Sequence, residues 1–220
     1  MKTKLMRIFS ALLILSTVFI SCSTTKVEQK DPNFLADMDA IYLGDAVCLN
    51  KQNFFKPKAI TVDVEFLPRN SNIRLSLKDG MNKVVLVFTN EEFRNFAESV
   101  GTYTEMYENN QLDRKNYKPN RKNNFNKGKV DIYWGAVGLG RNVTAPYDTN
   151  YQLVEVEGET NPYFRLEVHP TDYPEEENVA SPNVTLYFTP SQLKQLILLI
   201  NMDTIMQDIN DFNNAAYSFE

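Results

Sequence analysis

The chain has 220 residues, with 23 Lys and Arg against 28 Asp and Glu, and a formal net charge of −5. This acidic balance argues against a general affinity for nucleic acid, whose phosphates attract basic proteins. The two cysteines cannot support a disulfide framework if one of them carries a lipid, as argued below. The chain is long enough to bury one good hydrophobic core.

The N-terminal segment is typical of an export signal. Residues 1–21 begin with three basic side chains and continue with the apolar run Ile8–Ile20. This run is as long as the core of a signal peptide and too short for a comfortable membrane span. Removing the segment leaves 20 Lys and Arg against 28 Asp and Glu, so the predicted mature domain is more acidic still.

The apolar run ends in the sequence FISC, Phe19–Cys22, which resembles the lipobox of bacterial lipoproteins. The resemblance implies cleavage before Cys22 and attachment of acyl chains, palmitate among them, to that cysteine. Phe19 stands where the family usually has leucine. Ser23 after the cysteine implies, by analogy with the enteric sorting rule, the outer membrane, facing the periplasm or the surface. The alternative is an ordinary secretory signal in which Cys22 has no role.

A strand-to-helix junction occurs twice in the chain, in Asn82–Ala97 and in Asn183–Ile197. In each copy a threonine, Thr89 or Thr189, is followed three residues later by Glu92 or Gln192. This is the capping-box pattern, in which the hydroxyl and the later side chain satisfy backbone amides at a helix start. Apolar residues then recur at helical spacing, so both junctions predict a capped helix.

Four short apolar or alternating segments precede each predicted helix, and each is bounded by turn residues. The predicted strands are Ala46–Leu49, Val62–Glu65, Ile73–Leu77 and Val84–Phe88, then Val130–Trp134, Val154–Glu157, Phe164–Val168 and Val184–Phe188. The sequence therefore predicts an α+β fold: a single globular domain of two β-β-β-β-α repeats, with antiparallel sheets and a helix ending each repeat. The alternative is that two common junctions look alike by chance.

This order of elements is similar to that of the purine-rich-element-binding (PUR) and Whirly-type proteins. The resemblance implies that the repeats pair their sheets and helices into one globule, and it makes a nucleic-acid-binding module an alternative function. It aligns no nucleic-acid-binding residue with this chain, so it informs the fold more than the function. The predicted organisation is a signal peptide at 1–21, a lipidated N-terminus and tether at 22–40, a first repeat at 41–110, a basic linker at 111–128, and a second repeat with a C-terminal helix and tail at 129–220.

The linker is rich in Asn and Lys and almost free of acidic residues. Its candidate basic patch consists of Arg114, Lys115, Lys118, Arg121 and Lys122. A solvated connection between repeats is one interpretation, and a patch for anionic headgroups or nucleic acid is the other. Nucleic acid is the less expected partner, because the rest of the protein is acidic and exported.

The second predicted helix is apolar on two sides. Leu198, Met202, Ile205 and Ile209 fall opposite the stripe that continues from Leu193, so both faces need a cover. Either a terminal segment of the same chain folds over this second face, or it binds a second copy or an envelope protein.

Residues with catalytic or metal-binding chemistry are scarce. His169 is the sole histidine, and no motif places a nucleophile beside it. Its acidic loop fits no established metal-binding spacing, and Cys48 lies among apolar residues. We therefore predict no catalytic residue, metal or cofactor, and a non-enzymatic, lipid-anchored envelope protein with a binding or structural role. The alternatives are the nucleic-acid-binding module and an unrecognised hydrolase.

Overall fold

The structure is a computed structural model that describes residues 40–51, 56–79, 82–114, 124–136 and 138–217. The predicted signal peptide, Cys22 and nearly all of the tether lie outside the described residues. Within the described residues, no helix is long and apolar enough to cross a membrane.

The described part of the chain contains eight strands and three helices. In order they are β1 (Ile41–Asn50), β2 (Lys58–Leu67), β3 (Asn72–Asp79), β4 (Asn82–Phe88), α1 (Asn90–Glu108), β5 (Asn126–Gly135), β6 (Arg141–Val156), β7 (Glu159–Val168), β8 (Val184–Phe188), α2 (Pro190–Leu199) and α3 (Met202–Tyr217). Each of the eight predicted strands overlaps one of these elements, but the predicted Val154–Glu157 covers only the end of β6, most of which was not predicted.

The eight strands form one closed antiparallel barrel. Each strand pairs with the next along the chain, and β1 closes the barrel by pairing with β8 at Leu49↔Tyr187 and Asn50↔Leu186. The predicted α+β domain of two repeats is therefore wrong: the fold is mostly β, and the two halves share one sheet. The two halves are joined because β4 pairs with β5, although α1 lies between these strands in the chain. The alternation of residues within one strand does not indicate which strand it pairs with.

The barrel interior is filled by side chains. In β7, Phe164, Leu166 and Val168 point inward and are fully buried, whereas the residues between them point outward. The side chains of Phe66, Phe88, Leu186 and Phe188, from other strands, are at most 1% exposed. An eight-stranded barrel is just wide enough for its own side chains, and this one follows that rule.

Helix α1 packs its apolar face against these inward-facing rings. Phe96 and Tyr103 lie with their ring centroids 5.7 Å and 5.5 Å from that of Phe164. The Tyr103 hydroxyl donates a hydrogen bond of 2.8 Å to the carbonyl oxygen of Pro162. The helix is thus part of the core.

The two predicted helix starts differ in their capping. At α2, Thr189 and Gln192 form the complete capping box, as predicted. At α1, Thr89 accepts the hydrogen bond from the Glu92 amide, but the Glu92 carboxylate does not return to Thr89. It instead accepts hydrogen bonds from the Lys129 amide and the Tyr147 hydroxyl, each at 3.0 Å, and so ties α1 to β5 and β6.

The C-terminal helix is broken in two. The apolar stripe continues through Ile200, but α2 ends at Leu199 and α3 begins at Met202. Asn201 caps α3, because its side-chain oxygen accepts a hydrogen bond from the Thr204 amide at 3.2 Å. Hydrophobic spacing alone cannot detect this interruption, since it does not change at the break.

Candidate binding site on the outer face of the barrel

A row of polar residues crosses the outer face of the barrel over β6, β7 and β8. The antiparallel register sets Asp148 directly opposite Glu167, and Asn150 directly opposite Arg165. Next along the sheet, Tyr187 of β8 lies opposite Arg165. The inward neighbours of these residues belong to the core, so the row is built by strict alternation in three adjacent strands.

Arg165 is the centre of this network, with its side chain 13% exposed. It forms an ion pair with Glu167, and its Nη1 atom lies 3.9 Å from Asp148 Oδ1. Asp148 also lies 2.7 Å, through Oδ2, from Nε2 of His169. Removing such charges from water costs free energy, and that cost can exceed what their mutual attraction returns. The network is therefore a candidate functional feature and not simply a source of stability.

The same network contains the most metal-like group of ligands in the described residues. One ligand atom each from Asp148, Glu167 and His169 lie within 4.8 Å of one another. Two carboxylates and an imidazole suit zinc or a similar ion. However, Arg165 already supplies the positive charge between the two carboxylates, and a metal ion would have to displace it. The geometry therefore favours an internal ion-pair network over a metal centre.

A cavity of about 180 Å³ adjoins the network, and we call it the polar cavity. It is lined by Lys51, Gln152, Arg165, Glu167, Asn183, Thr185 and Tyr187. Lys51 reaches this wall because its amide continues the pairing of β1 with β8, by donating to the carbonyl oxygen of Thr185 at 3.1 Å. Burial raises the pKa of Tyr187, so its hydroxyl stays protonated and donates to Gln152.

A second cavity of about 290 Å³ shares Lys51, Gln152 and Tyr187 with the first, and we call it the adjoining cavity. Its remaining lining residues are Lys56, Pro57, Leu153, Val154 and Glu155. The three shared residues show that the two cavities adjoin each other. Together they form a groove that is charged at the Arg165 end and more apolar at the Pro57 end.

The residues predicted to form the basic patch are only partly described. The guanidinium of Arg114 lies 5.4 Å from the centre of the Tyr107 ring, in a cation–π contact. Lys115, Lys118, Arg121 and Lys122 lie outside the described residues. The patch as a binding surface stays a prediction.

The structure separates the four residues of the predicted second helical face. Leu198 is 63% exposed, whereas Ile205 and Ile209 are buried in the core and Met202 is half-buried. The separation follows from the break between α2 and α3. A partner that binds this part of the chain stays a prediction, and of the four residues only Leu198 is strongly exposed.

Two residues considered for chemistry occupy different environments. His169 has its ring beside Asp148 on the outer face, and no described hydroxyl or thiol is hydrogen-bonded to that ring. Cys48 is fully buried inside the barrel, and burial raises the pKa of its thiol to about 12. A thiol with this pKa is a poor nucleophile at neutral pH.

A nucleic-acid-binding module of this kind would stack bases on the sheet aromatics Tyr133, Trp134 and Phe164. Tyr133 is half-buried, and the other two lie in the core. Phe164 is fully buried and Trp134 is 5% exposed, with its ring edge-on to Tyr173. A base can stack only on an accessible ring face. The geometry therefore gives no support to a stacking platform at these two positions.

A family model described as "Uncharacterised Treponema protein" matches residues 24–207. The chain belongs to this family. The match begins two residues after Cys22 and spans all eight strands, so the groove lies within the region that defines the Treponema family. No curated protein and no solved structure matches the chain.

The outer-face network of this Treponema family member was not predicted from its sequence. Asp148 and Glu167 are 19 positions apart, and only the register of β6 and β7 brings them together. One signal was present in the sequence. Charged residues alternate with apolar ones in Phe164–His169, so β7 and the residue after it present Arg165, Glu167 and His169 on a single face.

Proposed function

We propose that the protein is a lipid-anchored, non-enzymatic component of the bacterial envelope, with a binding or structural role carried by the outer face of its barrel. The main support for this proposal is the position of Cys22 just after the apolar core of a signal peptide. Acyl chains on Cys22 would anchor the chain, and the first strand starts at Ile41. The intervening segment would hold the barrel off the membrane surface.

The outer membrane is the proposed location, with the barrel in the periplasm or on the surface. The support is Ser23, by the analogy with enteric sorting. In this proposal the protein contacts the membrane through its lipid anchor. Its protein partner is a second copy of the chain or another envelope protein.

The packed interior supports a role for the outer surface. Inward-facing rings and α1 fill the barrel, so a ligand the size of a fatty acid would have to displace the core. The environments of His169 and Cys48, described above, support the non-enzymatic part of the proposal. Cys48 would need a rearrangement before acting as a nucleophile, and no described hydroxyl or thiol is hydrogen-bonded to the His169 ring.

The proposal is tested by fractionating cells that produce the wild type, Cys22→Ser and Cys48→Ala. Cys22→Ser should move the protein from the membrane fraction to the soluble fraction and abolish labelling by a palmitate analogue. Cys48→Ala is the matched control, because it removes the other cysteine without touching the anchor. Membrane association of Cys22→Ser equal to that of the wild type would refute the anchor.

A second measurement separates the two possible sides of the membrane. Protease is added to intact cells, with a known periplasmic protein as the control. Digestion of the barrel while the control survives would place it on the surface. Protection until the outer membrane is opened would place the barrel in the periplasm. Protection that persists after the outer membrane is opened would contradict both of these locations.

A further inference from the structure

The ladder that joins β2 to β3 ends before either strand does. Its end is the pair Asp63↔Ser76. Beyond this pair, β2 continues as residues 58–62 and pairs with β1 alone, and β3 continues as residues 77–79 and pairs with β4 alone. The two strands therefore separate in this part of the barrel wall, and we call the opening between them the β2–β3 gap.

A cavity of about 480 Å³ opens at the β2–β3 gap, and it is larger than the polar cavity and the adjoining cavity. Ile60 and Leu77 follow the inward-facing residues of their strands and form its floor. Thr61, Lys78 and Lys83 point outward, are exposed and form its rim. All the lining residues belong to β2, β3 and β4, so no described helix closes this gap.

A second separation in the barrel wall lies between β1 and β8, and there a helix fills the space. Among the described residues these strands pair at Leu49 and Asn50, at one end of β1. Helix α2 packs against β1, so closely that a Cβ atom at Gly44 would lie 3.0 Å from Cδ2 of Leu199. The chain thus covers one separation with its own helix and leaves the β2–β3 gap uncovered in the part that the structure describes.

The β2–β3 gap exposes main-chain hydrogen-bonding groups. At the edge of a sheet, alternate residues point an N–H and a C=O group away from the neighbouring strand. On the gap side of residues 58–62 and 77–79, no described residue hydrogen-bonds to these groups. A small anion could use the N–H groups alone, whereas an extended peptide satisfies the whole row by pairing as an added strand.

The side chains around the gap indicate which residues such a strand carries. Its side chains would point alternately toward the floor and toward the rim. The floor is apolar, so it suits apolar side chains. At the rim, the register sets Lys78 directly opposite Lys83, and neither forms an ion pair with a described carboxylate. Like charges that face each other in this way are destabilising, so an acidic side chain between them relieves the repulsion.

One acidic residue lies at the rim and leaves its net charge positive. Asp63 lines the cavity, so the rim carries two lysines against one aspartate. Glu65, the next outward acid on β2, is held by two hydrogen bonds from Arg74. The same lysines would face each other if the gaps of two copies met, which argues against a second copy that binds through the same gap.

We propose that the β2–β3 gap binds an extended acidic segment of another protein as an added strand. Apolar side chains of that segment face Ile60 and Leu77, and acidic side chains alternate with them and face Lys78 and Lys83. The inference rests on the binding role proposed above, for which it names a site and a partner class. It does not depend on acylation of Cys22.

The test is a fluorescence-anisotropy titration of peptides with the purified full chain in detergent. The probe is the fluorescein-labelled peptide Asp-Val-Asp-Val-Asp-Val-Asp, in which acidic and apolar side chains alternate. A block peptide has the same composition with its acids and valines separated. A lysine peptide has Lys in place of every Asp. A methylated peptide carries a methyl group on every main-chain nitrogen, so it has no main-chain N–H group to donate.

The variant is Lys78→Glu/Lys83→Glu, which reverses the charge of the two rim lysines. The matched control is Lys127→Glu/Lys194→Glu, because Lys127 and Lys194 are exposed and lie outside the lining of the gap. Unfolding midpoints verify that both variants fold. The block and methylated peptides test the wild type directly, so the outcome does not depend on the variant alone.

We expect the alternating acidic peptide to bind the wild type with a Kd of about 100 μM. The block and methylated peptides should bind at least about tenfold more weakly, because the first loses the alternation and the second loses its donors. Lys78→Glu/Lys83→Glu should weaken the acidic peptide by about tenfold and bind the lysine peptide instead, whereas the control should behave like the wild type. Bound peptide should also slow the hydrogen exchange of amides in residues 58–62 or 77–79, as read by mass spectrometry.

Several results would overturn the inference. Equal binding of the block peptide would reduce the site to charge attraction, and equal binding of the methylated peptide would exclude strand pairing. No binding at about 1 mM peptide, or slowed exchange only at amides outside the gap, would refute the site. An unchanged affinity in Lys78→Glu/Lys83→Glu would refute the role of the rim. These results come from purified protein, so they are distinct from a failure of the membrane anchor.

Discussion

Gly128 occupies a position in β5 that leaves no room for a side chain. It pairs with Tyr147 of β6, beside the carboxylate of Glu92. A Cβ atom at residue 128 would lie 2.1 Å from Oε2 of Glu92 and 2.7 Å from Cε1 of Tyr147. Both distances are far below van der Waals contact, so Gly128→Ala must displace the carboxylate, the ring or the strand.

The cost follows from the hydrogen bonds that the displacement breaks. The Glu92 carboxylate accepts from the Tyr147 hydroxyl and from the Lys129 amide. Hydrogen bonds to charged groups contribute about 1.5–3 kcal/mol each, with less for an exposed group such as the Lys129 amide. We therefore expect Gly128→Ala to lower the free energy of unfolding by about 2–4 kcal/mol.

Gly101→Ala provides the matched control, measured by denaturant unfolding. Gly101 lies in α1 on the exposed side, and a Cβ atom there would meet nothing within 4 Å. Alanine is favoured over glycine in a helix interior by about 0.5–1 kcal/mol, so this variant should be more stable than the wild type. The two substitutions should thus have opposite signs.

A double-mutant cycle isolates the role of the carboxylate. In a Glu92→Ala background the closest clash at residue 128 is absent, so Gly128→Ala should cost less there than in the wild type. Equal costs in both backgrounds would show that the Glu92 contact does not determine the requirement for glycine. A Gly128→Ala protein as stable as Gly101→Ala would refute the packing argument altogether.

Three further outcomes follow from the packing and from the pKa shifts. Phe164→Ala empties a fully buried position and should cost about 3–5 kcal/mol in denaturant unfolding; a loss below about 1 kcal/mol would contradict a packed interior. Arg74 donates two hydrogen bonds to Glu65 and lowers the pKa of that carboxyl, so this pair stabilises the fold above the unfolded pKa and ceases to do so as pH falls through the folded pKa. Arg74→Gln should flatten the fall in stability between about pH 5 and pH 3, and an unchanged slope would argue against the pair. Cys48 should resist iodoacetamide at about pH 8 in the native protein and react once unfolded, as read by mass spectrometry; alkylation of the folded chain would contradict its burial.

Local features of the fold were predictable from the sequence. The strands and the Thr189 capping box depend on neighbouring residues, and periodicity and cap chemistry report on neighbours directly. Closure of the barrel was not predictable. The contact between Leu49 and Tyr187 joins residues far apart in the chain, and two separate sheets would satisfy the same local pattern.

The candidate groove was hidden for the same reason. Its polar lining residues include Lys51 after β1, Gln152 on β6, Arg165 on β7 and Asn183 before β8, and no two of these four residues are neighbours in sequence. In the sequence, Lys51 and Asn183 are polar residues that flank predicted strands, and no motif sets either of them apart. Their common cavity appears only when β1 pairs with β8.

In the proposed function, Cys22 becomes the lipidated first residue of an envelope-anchored barrel. Mass spectrometry of the N-terminal peptide from membrane-extracted protein tests this proposal. We expect a peptide that begins at Cys22 and carries the mass of acyl chains on that residue. A peptide that begins elsewhere, or an unmodified Cys22, would refute the lipid anchor.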